Sequence, residues 1–519
     1  MLVVLLLTMI LSTPPDSTVS RGRLSGNVQT ATMVYFDDPV TGLPAHRAGS
    51  NNYLKLDWKR DSLSLGLQAE WYPQALAGYP DELHGAGLTG LYADWRHGLL
   101  HLHAGSFHEQ LGSGILMRSW EDRQMGINNA VTGAYASLGS SRAGVKILGG
   151  LPKYGLWPTA GTLLAGADAY VELLPHSAHS LRLEASALDR ASFRTDADVA
   201  LIAGASGVEI PRHVPGVSAR MQYAWEGLGV KAEYVWKGAD FDLEALRPGN
   251  AQLLELNFAT GPFAAAFTFR RLQNMASRIF LSAGAYSVAN TVNYLPSLCM
   301  QQTYMLAGLN PYVTFADGEA GFQGDLYYNF RRGTVLGGRY GMKMHIGGCW
   351  IEGLPFALPN REASHLAYRD INIELERRWS RAWRTILFVS IQENSPTHGN
   401  RKATDAQNVL VLDTQWRASS STALRLELQY LYSQELTRDW MAALLELTLA
   451  PHWSITLSDM YNHGSTGVHY YNAAVSWSQG PLEIALSAGR NREGMVCSGG
   501  VCRWQPASSG ACLRAQYSF

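Results

Sequence analysis

Charged residues are scarce in this sequence. Asp, Glu, Lys and Arg make up 16% of its 519 residues, whereas soluble domains usually hold about a quarter. Long apolar runs are also missing, since no stretch after the first dozen residues approaches the ~18 residues of a membrane-spanning helix. The formal net charge is -1, which argues against nucleic acid as a partner because phosphate binding needs concentrated positive charge. The chain therefore predicts neither a helical membrane protein nor a partner of nucleic acids.

Glycine and aromatic residues are abundant instead, with 51 Gly, 24 Tyr and 15 Trp. Apolar and polar residues alternate in many segments of about 8 to 12 residues, the length that a tilted strand needs to cross hydrocarbon. Because successive residues of a strand point to opposite faces, each such segment has one apolar and one polar face. Clear examples are 181–187, 217–225, 230–236, 424–432, 482–488 and 511–519.

Connections between these segments alternate between short turns, such as 331–333, and generally longer loops, such as 237–249, as in bacterial outer-membrane barrels. The pattern predicts an all-β fold: a transmembrane antiparallel up-and-down β-barrel of about 24 strands, within a range of 22–26. A strand edge left open in hydrocarbon would leave unpaired backbone groups. We therefore expect residues 24–36 to pair with residues 511–519 and close the sheet. A soluble propeller would explain neither the alternating connections nor the aromatic terminal residue Phe519.

The chain divides into a short leader and one large domain. Residues 1–11 are apolar but too short to span a bilayer, so residues 1–20 are predicted to be a signal peptide. Residues 21–519 are predicted to form a single barrel in the bacterial outer membrane. The terminal Phe519 resembles the assembly signal of such barrels, which makes the barrel-assembly machinery an expected partner besides the lipid bilayer.

Four blocks carry a resemblance to a known family. They are GSFHEQLGSGILMRSWEDRQMGINNAVTG from Gly105, NYLPSL at 293–298, DGEAGFQGDLYY at 317–328 and LGGRYG at 336–341. Together they resemble an uncharacterised outer-membrane barrel family of Bacteroidota, known only as a domain of unknown function. The resemblance covers essentially the whole chain after the leader. It implies the barrel and its compartment, and it implies no activity, ligand or catalytic residue.

Two long loops are candidates for structures inside the barrel. The first begins with Glu109 and carries Arg118, Glu121, Asp122 and Arg123, and the last four charges could form an ion-pair network. It either folds inward and narrows the pore or is held against the wall by its own salt bridges. The second, 271–318, is unusually apolar for an external loop. Since an apolar loop is unfavourable in water, we expect it to be a constriction or plug inside the barrel, with a binding face for a partner as the alternative.

Polar faces of the predicted strands carry charges of both signs. Facing lipid, each would cost up to ~2–4 kcal/mol, so we expect them to line the lumen. Mixed signs argue against strong anion or cation selectivity, but they also suit a lumen closed by ion pairs. The lumen candidates are Arg182, Glu184, Arg220, Lys231, Glu233, Glu255, Arg270, Asp325, Asp370, Glu374, Arg425 and Glu427.

The sequence gives few signs of a catalytic or metal-binding site. His101 and His103 share a strand face and could chelate a metal, although they are more often plain lumen residues. Ser106 beside His108 could act as nucleophile and base, but no third orienting group is evident. We therefore expect no enzyme, no metal site and no cofactor.

Five cysteines occur, and exported proteins can hold disulfides. Cys497 with Cys502 would close a short loop, and Cys299 with Cys349 could tie two long loops together. Cys512 lies in the last predicted strand.

A barrel of this size has a lumen too wide for its wall side chains to fill. The most direct prediction is a passive channel or channel-like transporter for small solutes. The alternative is a non-conducting scaffold that anchors surface lipoproteins or a secretion or adhesion assembly.

Overall fold

The protein forms a closed antiparallel β-barrel of 24 strands, which confirms the predicted fold class and strand number. The computed structural model describes residues 22–44, 46–174, 178–193, 197–281, 287–355, 365–399 and 402–519. The predicted signal peptide, 1–20, lies outside these residues. Each strand pairs with its sequence neighbour in the barrel, so the topology is up-and-down.

The strands range from 8 to 15 residues in length. The first half of the barrel consists of β1 (Arg23–Phe36), β2 (Ala48–Arg60), β3 (Leu63–Tyr72), β4 (Gly85–His97), β5 (Leu100–Phe107), β6 (Val131–Gly139), β7 (Ala143–Tyr154), β8 (Thr162–Glu172), β9 (His179–Ser192), β10 (His213–Trp225), β11 (Leu228–Phe241) and β12 (Leu246–Thr260). The second half consists of β13 (Phe263–Gln273), β14 (Gly318–Phe330), β15 (Met342–Gly353), β16 (Leu366–Arg378), β17 (Trp383–Asn394), β18 (Asp405–Arg417), β19 (Thr422–Tyr432), β20 (Trp440–Leu449), β21 (Trp453–Asn462), β22 (Val468–Gln479), β23 (Leu482–Asn491) and β24 (Ser508–Ser518).

The first and last strands close the barrel. β1 pairs with β24 from Asn27 opposite Ser518 to Phe36 opposite Ser509. Beyond this ladder, the backbone N–H of Gly26 donates to the carbonyl of Phe519 at 2.8 Å, and the return bond is 3.0 Å. The predicted pairing of 24–36 with 511–519 is thereby confirmed, and it satisfies the backbone groups that an open edge would expose.

Alternation along the strands separates an apolar outer face from an inner face. On β18, Leu410 and Leu412 are exposed, whereas Val411 and Asp413 are buried. Exposed tryptophans lie near strand ends at both rims of the barrel, as in the interfacial aromatic girdles of membrane barrels. They include Trp71, Trp236 and Trp350 at one rim and Trp225, Trp379, Trp383, Trp416 and Trp453 at the other.

Short turns lie at the end where β1 begins and β24 ends, and longer loops lie at the other. Pattern alone misplaced some boundaries. The expected long loop 237–249 is only 242–245, because β11 and β12 continue to Phe241 and from Leu246. The expected short turn at 331–333 is instead a connection of residues 331–341, folded by turn hydrogen bonds such as Gly338 N–H to the Thr334 carbonyl at 2.8 Å.

One α-helix is present among the described residues, α1 (Ala197–Ala205), in the loop between β9 and β10. In that part of the chain, no helix has the length and apolar character needed to span a membrane.

Three loop segments at the long-loop end pack against the inner face or against one another, and we call them together the interior layer. It comprises residues 108–130, the described residues of 274–317, and the hairpin 494–505. Its buried apolar side chains form a cluster with β5 to β9 and β11 to β13 through Leu111, Ile115 and Met275. A second cluster joins Leu306 and Leu309 to β17 through β20.

Candidate functional site

Burial of the inner face changes along the barrel axis. On β18, Gln407 and Val411 are fully buried at the long-loop end, while Gln415 is half-buried and Arg417 exposed at the short-turn end. On β11, Val235 is fully buried, whereas the Lys231 side chain is 59% exposed. The interior layer therefore fills the long-loop half of the lumen and leaves the short-turn half open. We call this open half the vestibule.

Residues 108–130 reach the barrel wall on several sides. Glu109 forms a salt bridge with Lys146 of β7 at 2.7 Å. The backbone N–H of Ser113 donates to Glu233 of β11 at 3.1 Å. Arg123 donates to Gln29 of β1 at 2.8 Å. These contacts join this loop to strands far apart in the barrel order.

The charged residues at 118–123 have different kinds of partner. Glu121 and Arg123 do pair at 2.8 Å. Arg118, however, lies over the ring of Tyr294 at 4.3 Å, where the guanidinium gains a cation–π contact. Asp122 accepts the backbone N–H groups of Gln124 and Met125 at 3.0 Å each, which stabilises a local turn.

The segment 274–317 contacts two separate sectors of the wall. Toward β9, Arg190 donates to the Arg278 carbonyl at 2.6 Å. Toward β16, Gln302 donates to Asp370 at 2.6 Å. Toward β19, the N–H of Leu306 donates to Gln429 at 2.9 Å. All these wall residues belong to the inner face, so the described part of this segment lies inside the barrel.

Disulfides fasten the interior layer. The structure bonds Cys299 of the layer to Cys349 of β15, and Cys497 to Cys502 across the hairpin 494–505. The hairpin also holds the other loops, because Gln301 donates to the Cys497 carbonyl at 2.6 Å. Cys512 is reduced and buried on the inner face of β24.

Most of the remaining lumen candidates form ion-pair clusters on the wall. Arg220 binds Asp168 at 2.6 Å and Glu184 at 2.9 Å, and Glu184 also binds Arg182 at 2.7 Å. Glu233 accepts from the Ser218 hydroxyl at 2.7 Å.

In another sector, Asp325 of β14 lies 2.8 Å from His345 of β15. Arg425 binds Glu427 at 2.5 Å and Asp413 at 3.0 Å. The Arg425 guanidinium is therefore neutralised by its own neighbours on the wall.

The two histidines of β5 belong to a polar cluster in the vestibule. His101 and His103 both contact Asp94 of β4, and the Tyr135 hydroxyl lies 3.2 Å from His101. In the described part of the chain, no group of three His, Cys, Asp or Glu side chains is arranged to hold a metal ion. A cavity of about 610 Å³ adjoins this cluster, running from Asp61 at the short-turn end to the interior layer.

Ser106 and His108 have separate partners. The Ser106 hydroxyl lies 3.3 Å from that of Thr132, and the His108 ring lies 3.2 Å from the Asn128 amide oxygen. Neither contact joins a nucleophile to a base.

Two buried charged contacts were not anticipated from the sequence. Lys153 and Glu70 pair at 2.7 Å, with both side chains almost fully buried. Arg270 pairs with Glu319, and Tyr312 of the interior layer donates to the same carboxylate. Burial and the Glu319 carboxylate raise the pKa of the Tyr312 hydroxyl, which keeps it protonated as a donor. Only Arg270 lay among the lumen candidates. Glu70, Lys153 and Glu319 lie near the long-loop ends of β3, β7 and β14, and Tyr312 lies in a loop whose path the strand pattern does not specify.

Several solved structures match this chain at very low identity. The translocation pore of the P pilus usher PapC is 9% identical with a TM-score of 0.43, over 96% of this chain and 99% of that one. The copper transporter OprC is 10% identical with a TM-score of 0.41, over 98% and 82%. The siderophore receptor PirA from Pseudomonas aeruginosa is 10% identical with a TM-score of 0.42, over 97% and 81%.

Among curated proteins, none matches this chain. A family model described as a family of unknown function, DUF6029, matches residues 1–519. The chain therefore belongs to the DUF6029 family.

Proposed function

We propose that this protein is an outer-membrane channel for small solutes whose long-loop half is narrowed by its own interior layer. The observation that carries the proposal is the change in burial along the inner face, from fully buried Val411 to exposed Arg417 on one strand. A vestibule that is polar and open at one end suits the entry of hydrated solutes. An apolar layer across the other end suits a constriction, because it leaves little room for water.

We further propose an orientation. Short turns of outer-membrane barrels face the periplasm, so the vestibule would open to the periplasm and the interior layer would lie near the cell surface. The resemblance noted in the sequence favours an origin in the Bacteroidota and an exported precursor whose signal peptide is residues 1–20.

Phe519 supports a proposal about assembly. Its backbone already bonds Gly26, and its ring lies 5.8 Å from that of Tyr517 on the same face. We propose that the barrel-assembly machinery binds this aromatic end before the barrel closes. Phe519→Ala should then lower the amount of folded protein in the outer membrane, while the same variant refolded in detergent should still close. An equal loss in both settings would contradict this role.

Conductance of the purified protein in a planar bilayer tests the channel. The base of the largest loop is a natural place to cut, since Met275 N–H donates to the Ala316 carbonyl at 2.9 Å. Replacing residues 276–315 with a short Gly-Ser turn should keep this base and enlarge the conductance steps. Shortening the surface loop at residues 40–43 is the control, because the exposed Val40 and Leu43 lie outside the interior layer. Silence from all three proteins would refute conduction.

A specific observation favours a second candidate, the non-conducting scaffold. The interior layer is bonded to the wall on many sides and tied to β15 by the Cys299–Cys349 disulfide, which is also what a permanently sealed barrel needs. Surface lipoproteins or a secretion or adhesion assembly would then be the partners. Silent bilayers together with a protein that co-purifies in fixed ratio would favour this candidate over the channel.

A further inference from the structure

Arginines concentrate at the short-turn end of one sector of the barrel. The connection 331–341, the turn 379–382 and the adjoining ends of β16 to β18 surround a cleft of about 440 Å³. Six arginines line it, and we call it the arginine cleft: Arg332, Arg339, Arg378, Arg381, Arg384 and Arg417. No Asp or Glu side chain lines the same cleft.

Salt bridges within the protein neutralise little of the positive charge of the arginine cleft. Among the described residues, only Arg378 of the six has a carboxylate within salt-bridge distance, Glu376 at 3.7 Å. Deeper in the lumen the pattern is different, since Arg220 and Arg425 each bind two carboxylates at 3.0 Å or less. Like charges gathered in one concave surface repel one another and attract anions. A structural role in ion pairs therefore explains Arg220 and Arg425, but it does not explain the arginines of the cleft.

The cleft opens toward the vestibule, at the level of the exposed tryptophans of the short-turn rim. Arg378 and Arg384 alternate with the outward, exposed Trp379 and Trp383, so their side chains belong to the inner face. The same alternation places Arg417 inward beside the exposed Trp416. Because interfacial tryptophans mark the headgroup region, the cleft lies where solutes from the vestibule and lipid headgroups can both reach it.

Local hydrogen bonds hold the backbone of the cleft. The Ser380 hydroxyl accepts the N–H groups of Ala382 at 3.1 Å and Trp383 at 3.0 Å. The Trp383 indole donates to Thr414 on the next strand at 2.8 Å. A fixed backbone lowers the entropy cost of arranging several guanidinium groups around one ligand.

We propose that the arginine cleft binds a phosphate-bearing anion. Guanidinium groups present several N–H donors in one plane and match the oxygens of phosphate in bidentate pairs. The volume of the cleft suits a small molecule with more than one phosphate, or a lipid phosphate with its neighbouring groups. If the bound anion is a solute that the channel transports, the cleft names a substrate class for the proposed function, and that role rests on the proposed conduction. Binding of the anion to the cleft does not depend on conduction.

Calorimetric titration of inorganic tripolyphosphate into the full chain in nanodiscs of zwitterionic lipid tests the site. We expect saturable binding that weakens with added salt. The double variant Arg384→Gln/Arg417→Gln should lose at least about tenfold in affinity, since each loses charge-assisted hydrogen bonds. Arg60→Gln is the matched control, because Arg60 lies at the same end of the barrel beside Asp61 and outside the cleft. Its affinity should stay within about twofold of that of the unchanged protein.

A second arm separates the two sources of phosphate. In nanodiscs that contain phosphatidylglycerol, a headgroup site should bind tripolyphosphate more weakly, and the lipid should co-purify with the unchanged protein more than with the double variant. A solute site should keep its affinity in both lipids. Absence of saturable binding, or equal binding by the double variant that retains the folded, heat-modifiable form, would overturn the proposal. If the protein binds tripolyphosphate but shows no conductance in planar bilayers, the proposed channel is refuted and the proposed anion site stands.

Discussion

At the scale of single residues, the inner wall is held by buried charges whose partners come from distant parts of the chain. Glu70 is the clearest case. Besides Lys153, it accepts from Tyr72 and Thr89 at 2.8 Å each, and from Asn128 of the interior layer at 2.9 Å. This one carboxylate therefore joins three strands and a loop.

Lys153→Met should be strongly destabilising, because it leaves the Glu70 charge buried without its cation. Removing one partner of a buried pair costs about 3–5 kcal/mol, to be measured as the free energy of unfolding in urea with lipid vesicles. Lys231→Met is the control, since Lys231 is exposed and pairs with Glu255 at 3.5 Å; exposed pairs contribute about 1 kcal/mol or less. Equal losses in the two variants would show that Glu70 does not need Lys153.

Asp38 predicts a pH-dependent contribution to stability. Burial alone would raise its pKa, but the Val40 N–H, the Arg490 guanidinium and the Ser509 hydroxyl lower the pKa to about 2. A carboxyl whose pKa falls on folding stabilises the fold above its unfolded pKa of ~3.9 and loses this contribution as the pH falls toward 2.

Asp38→Asn should therefore lower the thermal midpoint of unfolding at pH 6 and have much less effect near pH 2. Thermal scans of both proteins at the two pH values check this. A difference between them that is as large near pH 2 as at pH 6 would contradict the assigned role of the carboxylate.

At the scale of elements, strands were predictable and loop interiors were not. The alternation at 217–225 places Val217 and Met221 outward and Arg220 inward, as the structure has them. A two-residue period is a local property, so it can be read without knowing the partners. The burial of Leu111 and Ile115 depends on contacts with β5 to β9 and β11 to β13, and no local pattern encodes such contacts.

The arginine cleft illustrates the same limit. The pairs at 331–332 and 377–378 are visible in the sequence as basic turns. That both pairs adjoin one cleft follows only from the order of β14 to β18 around the barrel. Counting the charged residues in each turn, instead of on each strand face, would have identified these arginines in the sequence.

The Cys299–Cys349 disulfide should restrict the motion of the interior layer. It closes a loop with a sequence separation of 50, for which chain entropy predicts about 4 kcal/mol of stabilisation. Cys299→Ser/Cys349→Ser should increase hydrogen exchange in residues 296–312. Cys497→Ser/Cys502→Ser, with a separation of 5, should do so much less. Unchanged exchange in the first variant would mean that packing alone holds the layer.

At the scale of the whole molecule, closure of the sheet and filling of the lumen depend on different interactions. Pairing β1 with β24 removes the strand edges, and this was predictable because hydrocarbon offers no alternative partner. The need to fill the lumen was predictable, and the apolar character of 271–318 favoured that loop as a constriction or plug. The part taken by 494–505, and the vestibule left open at the short-turn end, depend on tertiary packing.

The central claim is that the interior layer fills one half of the lumen and leaves the other half open. The reactivity of cysteines introduced along β18 tests this claim most directly. In a Cys512→Ser background, Gln407→Cys, Val411→Cys and Gln415→Cys would be treated with a water-soluble maleimide after insertion into vesicles. We expect the thiol at 415 to react at least about tenfold faster than those at 407 and 411, where reaction requires local opening. A further variant replaces residues 276–315 with the Gly-Ser turn and carries Cys349→Ser, so that Cys349 is not left as an unpaired thiol. In this variant the thiols at 407, 411 and 415 should react at similar rates. Equal rates along β18 in the intact protein would contradict the claim.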